Sequence, residues 1–230
     1  MAAISFINPK GGSGKTTLAM ILAQEFSRRG GRVAVIDADP NSVIAQWGER
    51  RVERGDVIPF HIESCPSENN IGRVIEALSE AYDFVLIDLE GIADLRASRT
   101  MSRSHLVLIP LNPSSIDANL AAKAIEAVDA EAHNVGRAIP LRVVRSRDAA
   151  AVQSKTLKRI KQTLQQLEIP SLETGLVERA AYRDVFEFSK TLEELNTSDT
   201  SNLPQARANA AAIADEIIET LRAIASGEKQ

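Results

Sequence analysis

Short apolar runs alternate along this chain with longer stretches in which apolar residues recur every three or four positions. The runs are AISFI, RVAVID, VIPFHI, DFVLID, HLVLIP and LRVV. Their length and their Val and Ile content predict buried strands. Between them lie KTTLAMILAQEFSRRG, SVIAQWGERR, NIGRVIEALSEA, SIDANLAAKAIEAVDAEA and VQSKTLKRIKQTLQQL, whose spacing predicts helices with one apolar face. Strand and helix in alternation make βα units, which predicts an α/β fold: a doubly wound, mostly parallel sheet flanked by helices. Past Ile169 the pattern predicts a short strand, a helix from Glu178 to Ser189, a polar loop (NTSDTSNLP) and a closing helix from Pro204 to Ala225. Pro204 suits that helix's first turn. No repeat or linker interrupts the sequence, so residues 1–230 are expected to form a single domain.

Composition narrows the function classes. With 230 residues, 44% hydrophobic and 25% charged, the chain can bury an ample core. Its net charge of −4 argues against nucleic-acid binding through global charge and leaves room only for a local basic face. Cys65 is the one cysteine, so no disulfide framework or cysteine metal cluster is expected, and its thiol is read as passive, at a strand end. The start of the chain has no signal-peptide pattern, and no apolar run is long enough to span a bilayer. A cytoplasmic protein is expected.

The chemistry concentrates where the first strand runs into NPKGGSGKTT. A glycine-rich loop between a strand and a helix is the setting of a phosphate-binding loop. Gly11, Gly12 and Gly14 let the backbone wrap a phosphate, with Ser13 and Thr17 in the same loop. The helix start adds partial positive charge, Lys15 reaches the β- and γ-phosphates, and Thr16 offers a hydroxyl to Mg²⁺. Two further strands end in carboxylates: VAVIDADP puts Asp37 and Asp39, and DFVLID puts Asp88, at the sheet edge where ligands bind in open parallel sheets. A hydrophobic strand ending in aspartate suits a magnesium-holding role, read for Asp88 and, as an alternative to a supporting role beside Asp39, for Asp37.

Pro9 stands where the usual loop has its first glycine, and a second lysine, Lys10, follows it. This stretch resembles the deviant Walker A loop, KGGxGKT, of the ParA/MinD family of ATPases. The resemblance implies that Lys10 reaches across a face-to-face homodimer to the ATP of the other subunit, and that Asp39, second in DxDP, orients the attacking water. The loop after the sixth strand packs on the adenine in that family, which points to Arg145 or Arg147. PLNPSSID also matches the family pattern after the second switch, whereas DLEGIAD departs from it, leaving Glu90 as a metal-side carboxylate or a solvated charge. The DLEG turn and the LRVVRSRDAAAVQSKTLKRI segment are similar to a plasmid-borne branch that includes conjugation and T-DNA accessory proteins of the VirC type.

Between Arg142 and Lys161 there are seven basic residues and a single acid. A helix starting near Val152 would gather Lys155, Lys158, Arg159 and Lys161 on one face, and with Arg147 these are the candidate contacts to DNA phosphates. Arg179 and Arg183 lie near the same edge. The family resemblance implies non-specific DNA binding by an ATP dimer, a ParB-like activating partner, weak hydrolysis without it, and nucleoid association when ATP is bound. With the loop so near Met1, no preceding helix-turn-helix is expected. A membrane-cycling MinD-like role is disfavoured by a tail, ADEIIETLRAIASGEKQ, that has acids and no aromatic residue.

Overall fold

In the computed structural model, residues 1–64, 67–92, 95–112, 115–148, 155–166 and 168–227 are described. Cys65, Asp94 and the Pro113–Ser114 pair of PLNPSSID lie outside them. The elements run β1 (Ala2–Phe6), α1 (Lys15–Arg28), β2 (Val33–Ala38), α2 (Val43–Arg54), β3 (His61–Ser64), α3 (Ile71–Ala81), β4 (Phe84–Leu89), α4 (Leu95–Met101) and β5 (Leu106–Leu111). Then come α5 (Ser115–Val135), β6 (Leu141–Asp148), α6 (Lys155–Gln166), β7 (Leu176–Val177), α7 (Ala180–Glu187) and α8 (Leu203–Ser226). The strands form one seven-stranded sheet in the order β3-β2-β4-β1-β5-β6-β7, and every pairing is parallel.

Alternation along the strands divides the core in two. Ile4, Phe6, Val33, Val35, Leu86, Leu106 and Leu108 face a cluster built with α1, α2, α7 and α8. Ala3, Ile7, Ile36, Val85, Ile87, Val107 and Ile109 face the opposite cluster, built with α3, α4, α5 and α6. Both faces of the sheet are therefore dry, which is why its strands read as continuous apolar runs. Along α8 the buried stripe is mostly small, with Ala206, Ala210, Ile213, Ala214 and Ile217, and it lets this helix lie close against α1. Pro204 occupies its first turn as expected, and Gly227 ends it at φ 74°.

Several boundaries differ from the sequence pattern. The third strand begins at His61 rather than Val57, because Pro59 lacks an N–H for the ladder and the Val57 carbonyl is taken by the Arg51 guanidinium. The sixth strand extends to Asp148, the described part of α6 begins at Lys155, and the start expected near Val152 lies outside the described residues. Helix α4, absent from the sequence reading, buries only Ala97, Thr100 and Met101, too little for a periodic signal.

Candidate nucleotide site

Strand β1 is central, hydrogen-bonded to β4 on one side and β5 on the other, so the loop at its carboxyl end opens in the middle of the sheet edge. That loop, the β2 and β4 ends, the β6 end and the start of α7 enclose a cavity of about 750 Å³. Pro9, Gly11 to Thr17, Asp39, Glu90, Gly91, Ser146, Arg147, Arg179 and Arg183 are among its lining residues. Gly14 adopts φ 100° to start α1, and a Cβ there would stand 3.0 Å from Ser146 Oγ. Only glycine fits that turn and that approach.

The two lysines behave differently. Lys15 is buried in the loop, where its ammonium donates to the carbonyls of Asn8 at 3.2 Å and Lys10 at 3.4 Å. Burial pulls its pKa down, and Asp88, Asp39 and Glu90 oppose the shift. Lys10 is half-buried, its backbone N–H donates to Asn8 Oδ1, and among the described residues its side chain is not part of the cavity lining.

Asp37 and Asp88 are direct partners in the β2–β4 ladder, and both are fully buried. Asp37 Oδ2 accepts the Ala45 N–H at 2.9 Å, which ties β2 to the start of α2; its other oxygen has no partner. Burial raises the Asp37 pKa against the backbone N–H groups of Ala45, Ile44 and Asp39. Neither oxygen of Asp88 has a hydrogen-bond partner at normal geometry. Burial pushes its pKa up to about 7, with the neighbouring Thr16 hydroxyl and Lys15 charge holding it down. A buried, unpartnered carboxylate beside a helix-start hydroxyl is a donor set suited to a hard cation. No group of three or more acidic, His or Cys ligands exists among the described residues. Mg²⁺ fits this shortage, because it keeps waters and phosphate oxygens and takes only one or two protein ligands. Asp39 is at the rim, its Oδ1 accepting the backbone and side-chain nitrogens of Asn41, both at 2.8 Å. Ser13 Oγ, Ser146 Oγ and Arg179 Nε are further buried polar atoms of the cavity without partners.

On the far wall the expectations are redistributed. Arg145 does not line the cavity: it is buried in β6, and its guanidinium donates to the carbonyls of Leu172, at 2.8 Å, and Glu173. Arg147 has φ 54° at a register shift between Ser146 and Asp148, and its Nη2 is 3.9 Å from where a Cβ on Gly12 would stand. It therefore stands over the phosphate loop. Arg179 and Arg183 also belong to the cavity rather than to a separate basic edge. Glu90 lies exposed on the rim. Of the α6 cations, Lys158 is exposed, while the side chains of Lys155, Arg159 and Lys161 lie outside what is described. Asn8, Asn41, Ser146 and Tyr182 were not singled out from sequence; Asn8, directly before Pro9, and Asn41, in the Asp-Pro-Asn-Ser stretch, carried turn signals that could have found them.

The profile of the CobQ/CobB/MinD/ParA nucleotide-binding domain matches residues 4–192. The chain belongs to this family. Protein ParA of Rhizobium radiobacter is 32% identical over 223 residues, covering 96% of this chain and 98% of that protein. Protein virC1 of Rhizobium radiobacter is 27% identical over 208 residues, covering 88% of this chain and 89% of that protein. In three dimensions an ATP complex of Cyanothece McdA superposes with a TM-score of 0.70 at 18% identity, over 94% of this chain and 96% of that one. ParA/MinD proteins are P-loop ATPases, and the doubly wound parallel sheet expected from sequence is the fold found. No described helix is long and apolar enough to cross a membrane.

Proposed function

We propose that this chain is a ParA-type positioning ATPase. In this reading it binds Mg²⁺–ATP through Gly11 to Thr17, pairs face to face with a second copy, and binds DNA non-specifically in that state. Hydrolysis stimulated by a ParB-like partner then releases it. The observation that carries the reading is the division between the lysines: Lys15 lines its own cavity, and Lys10 does not. A cation that meets a triphosphate only when two copies pair makes nucleotide binding and dimerisation a linked equilibrium. Thr16 and Asp88 would hold the metal, with Asp37 behind them. Bound there, Mg²⁺ would neutralise phosphate charge as it develops during transfer. Asp39, at the rim, would orient the attacking water. The length and identity of the match to Protein ParA support partition of plasmid or other cargo as the biological role. The match to Protein virC1 supports a second reading, an accessory ATPase of conjugation, which differs in partner rather than in chemistry.

The decisive experiment is sedimentation with ATP and with ADP. Lys10→Ala is expected to bind ATP and stay monomeric, and Asp39→Ala to form an ATP dimer that persists. A Lys10→Ala protein that dimerises as the parent does would remove the proposal's basis.

A further inference from the structure

Asn8 lies between β1 and both lysines, fully buried. Its side-chain oxygen accepts the Lys10 backbone N–H at 2.8 Å, and its side-chain nitrogen donates to the Pro110 carbonyl of β5 at 2.7 Å. The first of these bonds spans residues i and i+2 and closes an Asx turn. Pro9 is in its middle, with φ restricted by its ring, and Pro9 in turn confines Asn8 to extended geometry. The turn is thus narrowly defined by three consecutive residues, and its outer end is anchored on a different strand from the one that leads into it. Nearby, the Asn112 side-chain nitrogen reaches the Gly12 carbonyl at 3.5 Å, so the β5 end touches the loop at two points.

The bonds of Asn8 separate the two lysines. Lys15 is held by two main-chain carbonyls, that of Asn8 at 3.2 Å, which any residue at position 8 would supply, and, at the longer distance of 3.4 Å, that of Lys10. Lys10 depends on the side chain, because that side chain sets the course of the backbone from which it projects. Asn8 is also absent from the described residues that line the cavity, and its side chain bonds Lys10 and Pro110 rather than Lys15. We infer that Asn8 is a positioning residue for Lys10: it fixes that lysine's main chain to the β1–β5 frame and thereby governs ATP-dependent pairing of two copies, while nucleotide affinity is left to Lys15 and the glycines. The inference rests on the reading of Lys10 as the lysine that acts across the dimer.

Four variants test it: Asn8→Ala, Asn8→Ser, Lys10→Ala and the Asn8→Ala/Lys10→Ala double. Affinity is read with a fluorescent ATP analogue, pairing by sedimentation with a non-hydrolysable one, and folding by thermal melting. Asn8→Ala is expected to keep ATP affinity within about threefold of the parent and to weaken pairing tenfold or more, and the double variant to pair no worse than Lys10→Ala alone. Asn8→Ser, whose hydroxyl oxygen can close the same kind of turn, recovers most of the pairing. Should Asn8→Ala fail to fold, Asn8→Gln takes its place, since its longer amide still reaches toward Pro110 but misfits the turn on Lys10. Normal pairing by the Asn8 variant beside a monomeric Lys10→Ala overturns the inference alone. So do losses that multiply in the double variant, a Ser variant no better than Ala, or ATP affinity that falls in step with pairing. Normal pairing by Lys10→Ala overturns the reading of the dimer, and the inference with it.

Discussion

A single left-handed residue at the end of β6 turns an arginine over the phosphate loop. Holding a non-glycine residue at φ 54° costs about 1–2 kcal/mol, and the register shift beside it forfeits regular pairing with β7. Arg147 at this position adds a third cation, after Lys10 and Lys15, within reach of the loop. Replacing it with Ala is expected to weaken ATP binding about tenfold and to leave the salt dependence of DNA binding unchanged, with calorimetric titration and DNA binding over a salt series as the two readouts. The reverse pattern would return Arg147 to the DNA face. The sequence could not separate Arg145 from Arg147, because regular alternation puts residues two apart on one side of a strand. The irregularity at Arg147 sends it to the cavity, while Arg145 turns to the carbonyls of Leu172 and Glu173. The loop residues were legible for the opposite reason: Gly11, Gly12, Gly14, Lys15 and Thr16 are fixed by local geometry within one turn of chain.

At the scale of elements, α2 and α7 are fastened together. Trp47 donates its indole N–H to the Val185 carbonyl at 3.0 Å. Arg50, Arg51 and Arg54 donate to carbonyls at the α7 end: Phe186, Ser189, and Phe188 with Ser189. These guanidinium groups satisfy the carbonyls that a helix end leaves unpaired. Arg51 is almost wholly buried, stacks at 5.0 Å over the Trp47 ring and pairs with Glu194 at 2.5 Å. The Arg51 hydrogen bonds hold the Glu194 carboxyl down to about 2 from its ordinary 4.5. A depressed carboxyl stabilises the fold above its unfolded pKa and loses that contribution as pH falls through the folded one. Glu194→Gln is therefore expected to melt a few degrees below the parent at pH 7, and the gap to close between about pH 4.5 and pH 2. A gap that stayed constant over that range would deny the ion pair its role. The helices of this block could be read from their apolar periodicity. The tie between them could not, since residues 47 and 185 are 138 positions apart and touch only once both helices cover the same face of the sheet.

For the whole molecule, a net charge of −4 means that any hold on DNA must come from one face rather than from the sum. Removing Lys155, Lys158, Arg159 and Lys161 together is expected to abolish most DNA binding by the ATP form. If each cation meets one phosphate, the log–log salt slope becomes shallower by about 3 to 4. An unchanged slope would move the DNA face elsewhere. The doubly wound arrangement was legible because both sheet faces are dry, whereas the cavity's far wall, drawn from residues 146 to 183, depends on how β6, β7 and α7 come together. That distance in sequence has a further consequence, which concerns time. The phosphate loop leaves the ribosome before the strands that flank it, so β1 finds its neighbours only when Phe84 and then Leu106 have been made. The apolar side of α1 waits longer still, for the alanine stripe of α8. From the emergence of α1 to that of α8, the nascent chain carries this segment unfinished, with an uncovered helix face for other proteins to shield.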